Sequence, residues 1–165
     1  MDPKIVFVTQ FPDAADAARE MAPSGFDLRI VPAKSAEFSE AIADAEFLVG
    51  YVDMLVQTDL FKAGPNLKLV QLLSAGYDQA DLDAARAARV PVCNNGGANS
   101  VAVSEHAMML ALAVSRQLVN QHRSVSAGNW RGNQTPRVHE VRNRTMGIIG
   151  LGTIEVTALD YDPRV

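Results

Sequence analysis

The sequence predicts an α/β fold, a doubly wound parallel sheet, on three observations. Short β-branched apolar runs alternate with Ala-rich, charge-bearing stretches. The apolar runs are continuous, as in strands buried on both faces. Gly- and Pro-bearing breaks, such as Pro23-Ser24-Gly25, Gly64-Pro65 and Gly96-Gly97, punctuate the alternation.

Taken in order, Lys4–Gln10 (KIVFVTQ) is the first strand, and Pro12–Ala22 is Ala-rich with acids near its start, as helices prefer. Asp27–Ala33 is the second strand. Ser35–Ala45 opens on a serine suited to cap a helix. Phe47–Val52 is the third strand and Asp53–Ala63 the next helix. Leu67–Leu73 is the fourth strand, Asp81–Val90 a short helix, and Pro91–Asn95 a short fifth strand. Asn99 or Ser100 should then cap a long helix running to about Ala127, with one apolar stripe of Val103, Ala107, Leu110, Val114 and Leu118. A polar, Arg-bearing loop over Gly128–Asn143 leads to a last strand, Thr145–Gly150, and Val156–Tyr161 reads as another strand.

Composition bounds the function. A formal net charge of −4 argues against a nucleic-acid partner, which would call for a basic face. The single cysteine, Cys93, rules out an internal disulfide framework and fits a reducing, cytoplasmic setting. The N-terminus reads as carrying no signal peptide, and the apolar segment Ala107–Val114 is too short to span a membrane.

Open α/β sheets bind ligands beyond the carboxyl ends of their strands. Two loops there suit a small carboxylate. One is Ser74–Asp81 (SAGYDQAD), whose small residues leave backbone N–H groups accessible. The other is Asn94–Ser100 (NNGGANS), which leads into the start of the long helix, where free donors and partial positive charge meet. Both loops read equally well as ordinary tight turns. A third turn, Gly150-Leu151-Gly152, follows a predicted strand as a dinucleotide fingerprint requires. Its third glycine position holds Glu155, whose carboxylate would crowd the helix and repel phosphate.

The runs LLSAGYDQADLDAARAARVPVCNNGGANSVAVSEHAMMLALA, RSVSAGNW and RTMGIIGLGTI resemble the N-terminal half of a D-isomer-specific 2-hydroxyacid dehydrogenase. That family includes phosphoglycerate, glyoxylate and formate dehydrogenases, and ANSVAVSEHAM is most similar to the formate branch. The resemblance implies a flavodoxin-like substrate domain over residues 1–98. It also implies an interdomain helix and the incomplete start of a Rossmann nucleotide-binding domain over 99–165. By the same resemblance, the N–H groups of Ala75 and Gly76 hold the substrate carboxylate, and Asn99 aligns with the substrate-binding asparagine of formate dehydrogenases. Ser100 and Val103 face the nicotinamide side of NAD, Gly150 and Gly152 take its pyrophosphate, and Asp162 takes the adenosine ribose. Trp130 is read as a packing residue. The implied partners are a small carboxylate substrate and a second copy of the chain, joined through the long helix. The implied activity is NAD-dependent exchange between a 2-hydroxy and a 2-keto acid, or formate oxidation.

The sequence also departs from the family. The fingerprint acid should lie roughly 20 residues beyond the glycines, and Asp162 lies ten beyond Gly152. A crossover needs roughly 10–12 residues, so no helix is expected between Gly152 and Val156, and the two flanking strands should pair as an antiparallel hairpin or not at all. The resemblance places the catalytic histidine, its carboxylate and the substrate arginine beyond Val165, so no catalytic residue is assigned here. His106 reads as structural, His122 as a surface group at a helix end, and His139 as part of a solvated loop with Arg137, Arg142 and Arg144. No metal-ligand spacing is present. A phosphoacceptor receiver with Asp53 as acceptor lacks the magnesium acids after its first strand and a lysine after its fifth. A non-catalytic remnant acting only through another chain is the alternative function.

Overall fold

In β1 (Lys4–Val8), Val6 and Val8 are buried while Ile5 and Phe7 are only half-buried. That alternation runs through the sheet and sets its two faces. The computed structural model describes residues 2–55, 59–130 and 137–159. After β1 come α1 (Pro12–Glu20), β2 (Asp27–Val31), α2 (Ala36–Ile42) and β3 (Phe47–Gly50). Then follow α3 (Val52–Leu55), α4 (Leu60–Ala63), β4 (Leu69–Leu72), α5 (Leu82–Ala88) and β5 (Val92–Cys93). The five strands form one all-parallel sheet in the order β2-β1-β3-β4-β5. This is the doubly wound sheet that the alternation predicts.

Local chemistry sets the helix starts. The Ser35 hydroxyl accepts the N–H of Phe38 at 3.0 Å and caps α2. The Asp81 carboxylate accepts that of Ala84 at 2.8 Å and caps α5. The helix expected over Asp53–Ala63 is interrupted at Asp59, which adopts a left-handed φ of 67° just before α4.

The strand order fixes where the core sits. Only β1 to β2 steps one way across the sheet; every later step goes the other way. Right-handed crossovers therefore put α1 on one face and α2 to α5 on the other. The second group does the burying. Phe38, Ala41 and Ile42 of α2 and Leu55 of α3 cluster with Val6, Val8, Leu48, Val70 and Leu72. Helix α1 has no buried residue, and Ile5, Phe7, Ile30, Phe47, Val49 and Leu69 stay half-buried. The expected covering of both faces is complete on one of them. At the amino ends of the strands, a hydrogen bond from Lys4 holds the Asp44 carboxyl below its ordinary range, and one from Lys68 does the same for Glu46.

The chain forms two compact units, Met1–Gly96 and Gly97–Val165. The second contains α6 (Ser100–Ser115), α7 (Leu118–Ser126) and α8 (Thr153–Leu159). Three expectations fail here. The long helix breaks at Gln117, which is left-handed at φ 51°. There the Ser115 hydroxyl turns back to Ala111 O at 2.8 Å. The loop takes over the chain end, with His139 N–H donating to Ser115 O at 2.9 Å and Gln117 Nε2 to Arg137 O at 3.0 Å. The predicted strand Thr145–Gly150 does not form. The predicted strand from Val156 is helix α8 as far as Leu159, and Asp160 and Tyr161 lie outside the described residues. An unpaired strand would leave its backbone groups without partners, whereas a helix satisfies them internally. Among the described residues, no helix is long and apolar enough to cross a membrane.

Candidate functional site

In the first unit, Ser74–Gly76 leaves β4 and Asn94–Asn95 leaves β5, both at the carboxyl edge of the sheet. The two loops are tied together. Asn95 N–H donates to Ser74 O at 3.0 Å, and Asn94 Nδ2 donates to Ala75 O at 2.8 Å. The Ser74 hydroxyl donates to Gly76 O at 2.8 Å. These bonds use the carbonyls of the loop. Among the described residues, no group accepts the N–H of Ala75 or Gly76. Two adjacent backbone donors, braced and unspent, are the groups that a cradle for a small anion would use. Gly76 is exposed, and a Cβ built there would meet only Asp78 Oδ2, at 3.8 Å, so the space above the cradle is open. Asn94, which sequence reasoning did not single out, is the brace; its signal was the small-residue loop opposite it.

A cavity of about 570 Å³ lies elsewhere in this unit, lined by Leu60, Phe61, Val70, Leu72, Ala84 and Val92 among others. It is lined by Gln79, Ala80 and Asp81 at the end of the Ser74–Asp81 loop, but not by Ala75 or Gly76. The charged groups at its rim are spent, since Asp59 pairs with Lys62 at 2.7 Å and Asp81 caps α5. Size alone gives it no chemistry.

In the second unit, the starts of α6 and α8 come together. A Cβ on Gly97 would lie 3.6 Å from Thr153 Cγ2, and α6 packs on α8. Asn99 occupies the N-cap position of α6 without a side-chain cap bond and is exposed, and its amide bonds to no group among the described residues. Ser100 is buried, and its hydroxyl donates to Gly97 O at 2.8 Å. Val103 is 37% exposed. The face of α6 that is covered runs Ser100, Ser104, Met108, Ala111, with Ser104 Oγ donating to Val101 O. The predicted apolar stripe lies on the opposite side and is exposed, with Leu110 and Val114 open to solvent along with Leu112. Small serines permit a close helix approach that the bulky stripe does not.

The glycine turn does lead into a helix, contrary to expectation. Gly150 is left-handed at φ 96°, which glycine alone adopts without strain. Gly152 stands at the N-cap of α8, and Val156 N–H donates to its carbonyl at 3.1 Å. Glu155, the third residue of that helix, reaches back to accept the Gly152 N–H at 2.9 Å through Oε2. This is the reciprocal half of a capping box. The donor nearest the place a pyrophosphate would take is thus held by a carboxylate of the same chain. The sequence signal is Gly-Thr-Ile-Glu, which the strand expected from Val156 onward leaves no room to read as a helix start. Asp162 lies outside the described residues.

The remaining candidates are dispersed. His106, His122 and His139 are all exposed, and among the described residues none is bonded to a carboxylate through its ring. Trp130, expected to pack, is 73% exposed. Cys93 is free and exposed. Among the described residues, no group of acids, histidines and cysteine could hold a metal ion.

A family model described as D-isomer specific 2-hydroxyacid dehydrogenase, catalytic domain, matches residues 6–157. D-3-phosphoglycerate dehydrogenase of Archaeoglobus fulgidus is 29% identical over 166 residues, covering 93% of this chain and 31% of that protein. Glyoxylate reductase of Korarchaeum cryptofilum is 30% identical over 118 residues, covering 70% of this chain and 36% of that protein. The NAD-dependent formate dehydrogenase of Staphylococcus aureus, solved in complex with NAD, superposes with a TM-score of 0.76 at 25% identity, over 94% of this chain and 51% of that one. A D-lactate dehydrogenase from Aquifex aeolicus superposes with a TM-score of 0.78 at 23% identity, over 93% of this chain and 46% of that one, a likeness of fold. The chain spans about half the length of these solved relatives and about a third of the curated ones.

Proposed function

We propose a function on the premise that this chain belongs to the D-isomer specific 2-hydroxyacid dehydrogenase family: its first unit holds the carboxylate of a small 2-hydroxy or 2-keto acid for an NAD-dependent oxidation or reduction. The pair of unspent N–H groups on Ala75 and Gly76 carries the reading. Both donors sit on one braced loop, so the carboxylate would be fixed by two hydrogen bonds without reorganising the protein.

The nucleotide assignments are Ser100, Val103, Gly150, Gly152 and Asp162. As arranged, the turn does not fit a pyrophosphate, because Glu155 already occupies the Gly152 donor with a negative charge. We therefore derive no step through NAD. A second reading, a non-catalytic role through association with another chain, is favoured by the exposed apolar residues of α6 and α7, including Val101, Leu110, Val114 and Leu118.

The test of the cradle is a titration of the ¹⁵N-labelled chain with glyoxylate or D-lactate, followed by amide NMR. The Ala75 and Gly76 resonances should move together and saturate. Movement spread over unrelated surface amides, with these two unchanged, rejects the cradle.

A further inference from the structure

The first unit ends on a residue pair with a chemistry of its own, Asn95-Gly96. Of the eight asparagines in the chain, Asn95 alone precedes a glycine. Both residues are exposed, in the loop that leaves β5. Asn66, Asn94 and Asn120 each spend the side-chain amide on a hydrogen bond. Among the described residues, no group bonds the Asn95 side chain, and none accepts the Gly96 N–H. Chain neighbours apart, a Cβ built on Gly96 would meet only the Asn94 amide, at 3.7 and 3.8 Å. The Gly96 nitrogen and the Asn95 carboxamide are thus adjacent, unbonded and open to water.

Such a pair can close a succinimide ring. The Gly96 nitrogen forms a bond to Asn95 Cγ, the Cγ–Nδ2 bond breaks, and ammonia leaves with the proton that the Gly96 nitrogen gives up. Water then opens the ring. Opening at Cγ leaves aspartate. Opening at the main-chain carbonyl leaves isoaspartate, whose main chain runs through Cβ and Cγ. Glycine favours the closure, because it has no Cβ to crowd the attacking nitrogen and the widest backbone freedom to reach the ring geometry.

The position of the pair gives the change a consequence. Asn95 N–H donates to Ser74 O at 3.0 Å, and Asn94 Nδ2 to Ala75 O at 2.8 Å. Those two carbonyls belong to the peptide groups that carry the N–H of Ala75 and Gly76. We propose that Asn95 is a site of spontaneous deamidation, and that its conversion unties the Ser74–Gly76 loop by placing a carboxylate and, in isoaspartate, an extra main-chain carbon beside the tie. The modification itself does not rest on the carboxylate reading above.

The experiment holds the ¹⁵N-labelled 165-residue chain at mildly alkaline pH, where the attacking nitrogen gives up its proton more readily. Samples are taken over time for peptide mass spectrometry, enzymatic methylation of isoaspartate and amide NMR. Asn95 should be the first of the eight asparagines to convert. Gly96→Ala should slow its conversion by about tenfold or more, a barrier rise of about 1.4 kcal/mol. That variant should fold, since Gly96 is not among the left-handed glycines and its new Cβ would make only ordinary contacts. Asn95→Gln, whose longer side chain closes a larger ring less readily, should stay intact. In the original chain the Ala75 and Gly76 resonances should be replaced in step with the loss of Asn95, while those of Val6 and Leu48 stay in place. Earlier conversion of other asparagines, or equal conversion in Gly96→Ala, overturns the site. Converted chains with unmoved Ala75 and Gly76 overturn the untying of the loop. Failure of the carboxylate reading would show instead in the titration of freshly prepared, unconverted chain.

Discussion

Glu155 can be removed in two ways that separate charge from hydrogen bonding. Glu155→Gln keeps an acceptor for the Gly152 N–H without the charge, and Glu155→Ala frees the donor altogether. In the structure the carboxylate is 2.9 Å from that N–H, so a phosphate reaching the same donor would lie within about 4 Å of it. Two unit charges at that distance repel by about 1 kcal/mol in water and about 4 kcal/mol at the effective dielectric of a protein surface. The turn is partly open to solvent, so about 1–2 kcal/mol is expected, or about a five- to thirtyfold gain in affinity for Glu155→Gln. Glu155→Ala should gain further for the nucleotide, while losing about 1 kcal/mol of helix stability with its cap. The assay is calorimetric titration with NAD, starting from the weak binding expected of the original chain, at low and high salt. The gain should shrink at high salt, where exposed charges are screened. Equal affinities for all three proteins would refute the reasoning, because the carboxylate would then be no obstacle.

Other outcomes follow from the same geometry. Leu48→Ala, at a side chain with no exposure, should cost about 2–5 kcal/mol in chemical denaturation. Gly64→Ala would place its Cβ 2.8 Å from Leu67 Cδ1, and the overpacking should cost about 1–3 kcal/mol. Asp44 and Glu46 have lowered carboxyl pKa values in the folded state. The stability this confers is present above about pH 4 and is lost as pH falls through the folded values. The advantage of the original chain over Lys4→Met and Lys68→Met should therefore close in acid, as followed by urea midpoints. The 165-residue chain should self-associate through α6, and Leu110→Glu with Val114→Glu should return it to a monomer by sedimentation. Purified on its own, it should give no NADH with lactate, glycerate, 3-phosphoglycerate or formate.

The sheet was legible because its signals are local. The apolar runs, the Ser35 cap and the Gly64-Pro65 stop each act within a few residues, and each is found where the sequence puts it. The place of the Ser74–Gly76 loop, just beyond β4, was legible for the same reason. The second unit was harder because distant partners decide it. Val156 and Thr157 favour a strand by type, but with no strand to pair with, Glu155 and the packing on α6 make them helical. The break at Gln117 depends on Arg137 and His139, twenty or so residues further on. The covered face of α6 is set by Ser100 and Ser104, which hydropathy cannot pick out beside Leu110 and Val114.

The strand order β2-β1-β3-β4-β5 has a consequence during synthesis. Every pairing in the sheet is complete once Cys93 has been made, and none waits for residues after Gly96. At ribosomal speeds of about 5–20 residues per second, an N-terminal unit has seconds to fold before the rest emerges. The sheet and its cradle can therefore be in place on the ribosome while α6, with its apolar surface, is still inside the exit tunnel.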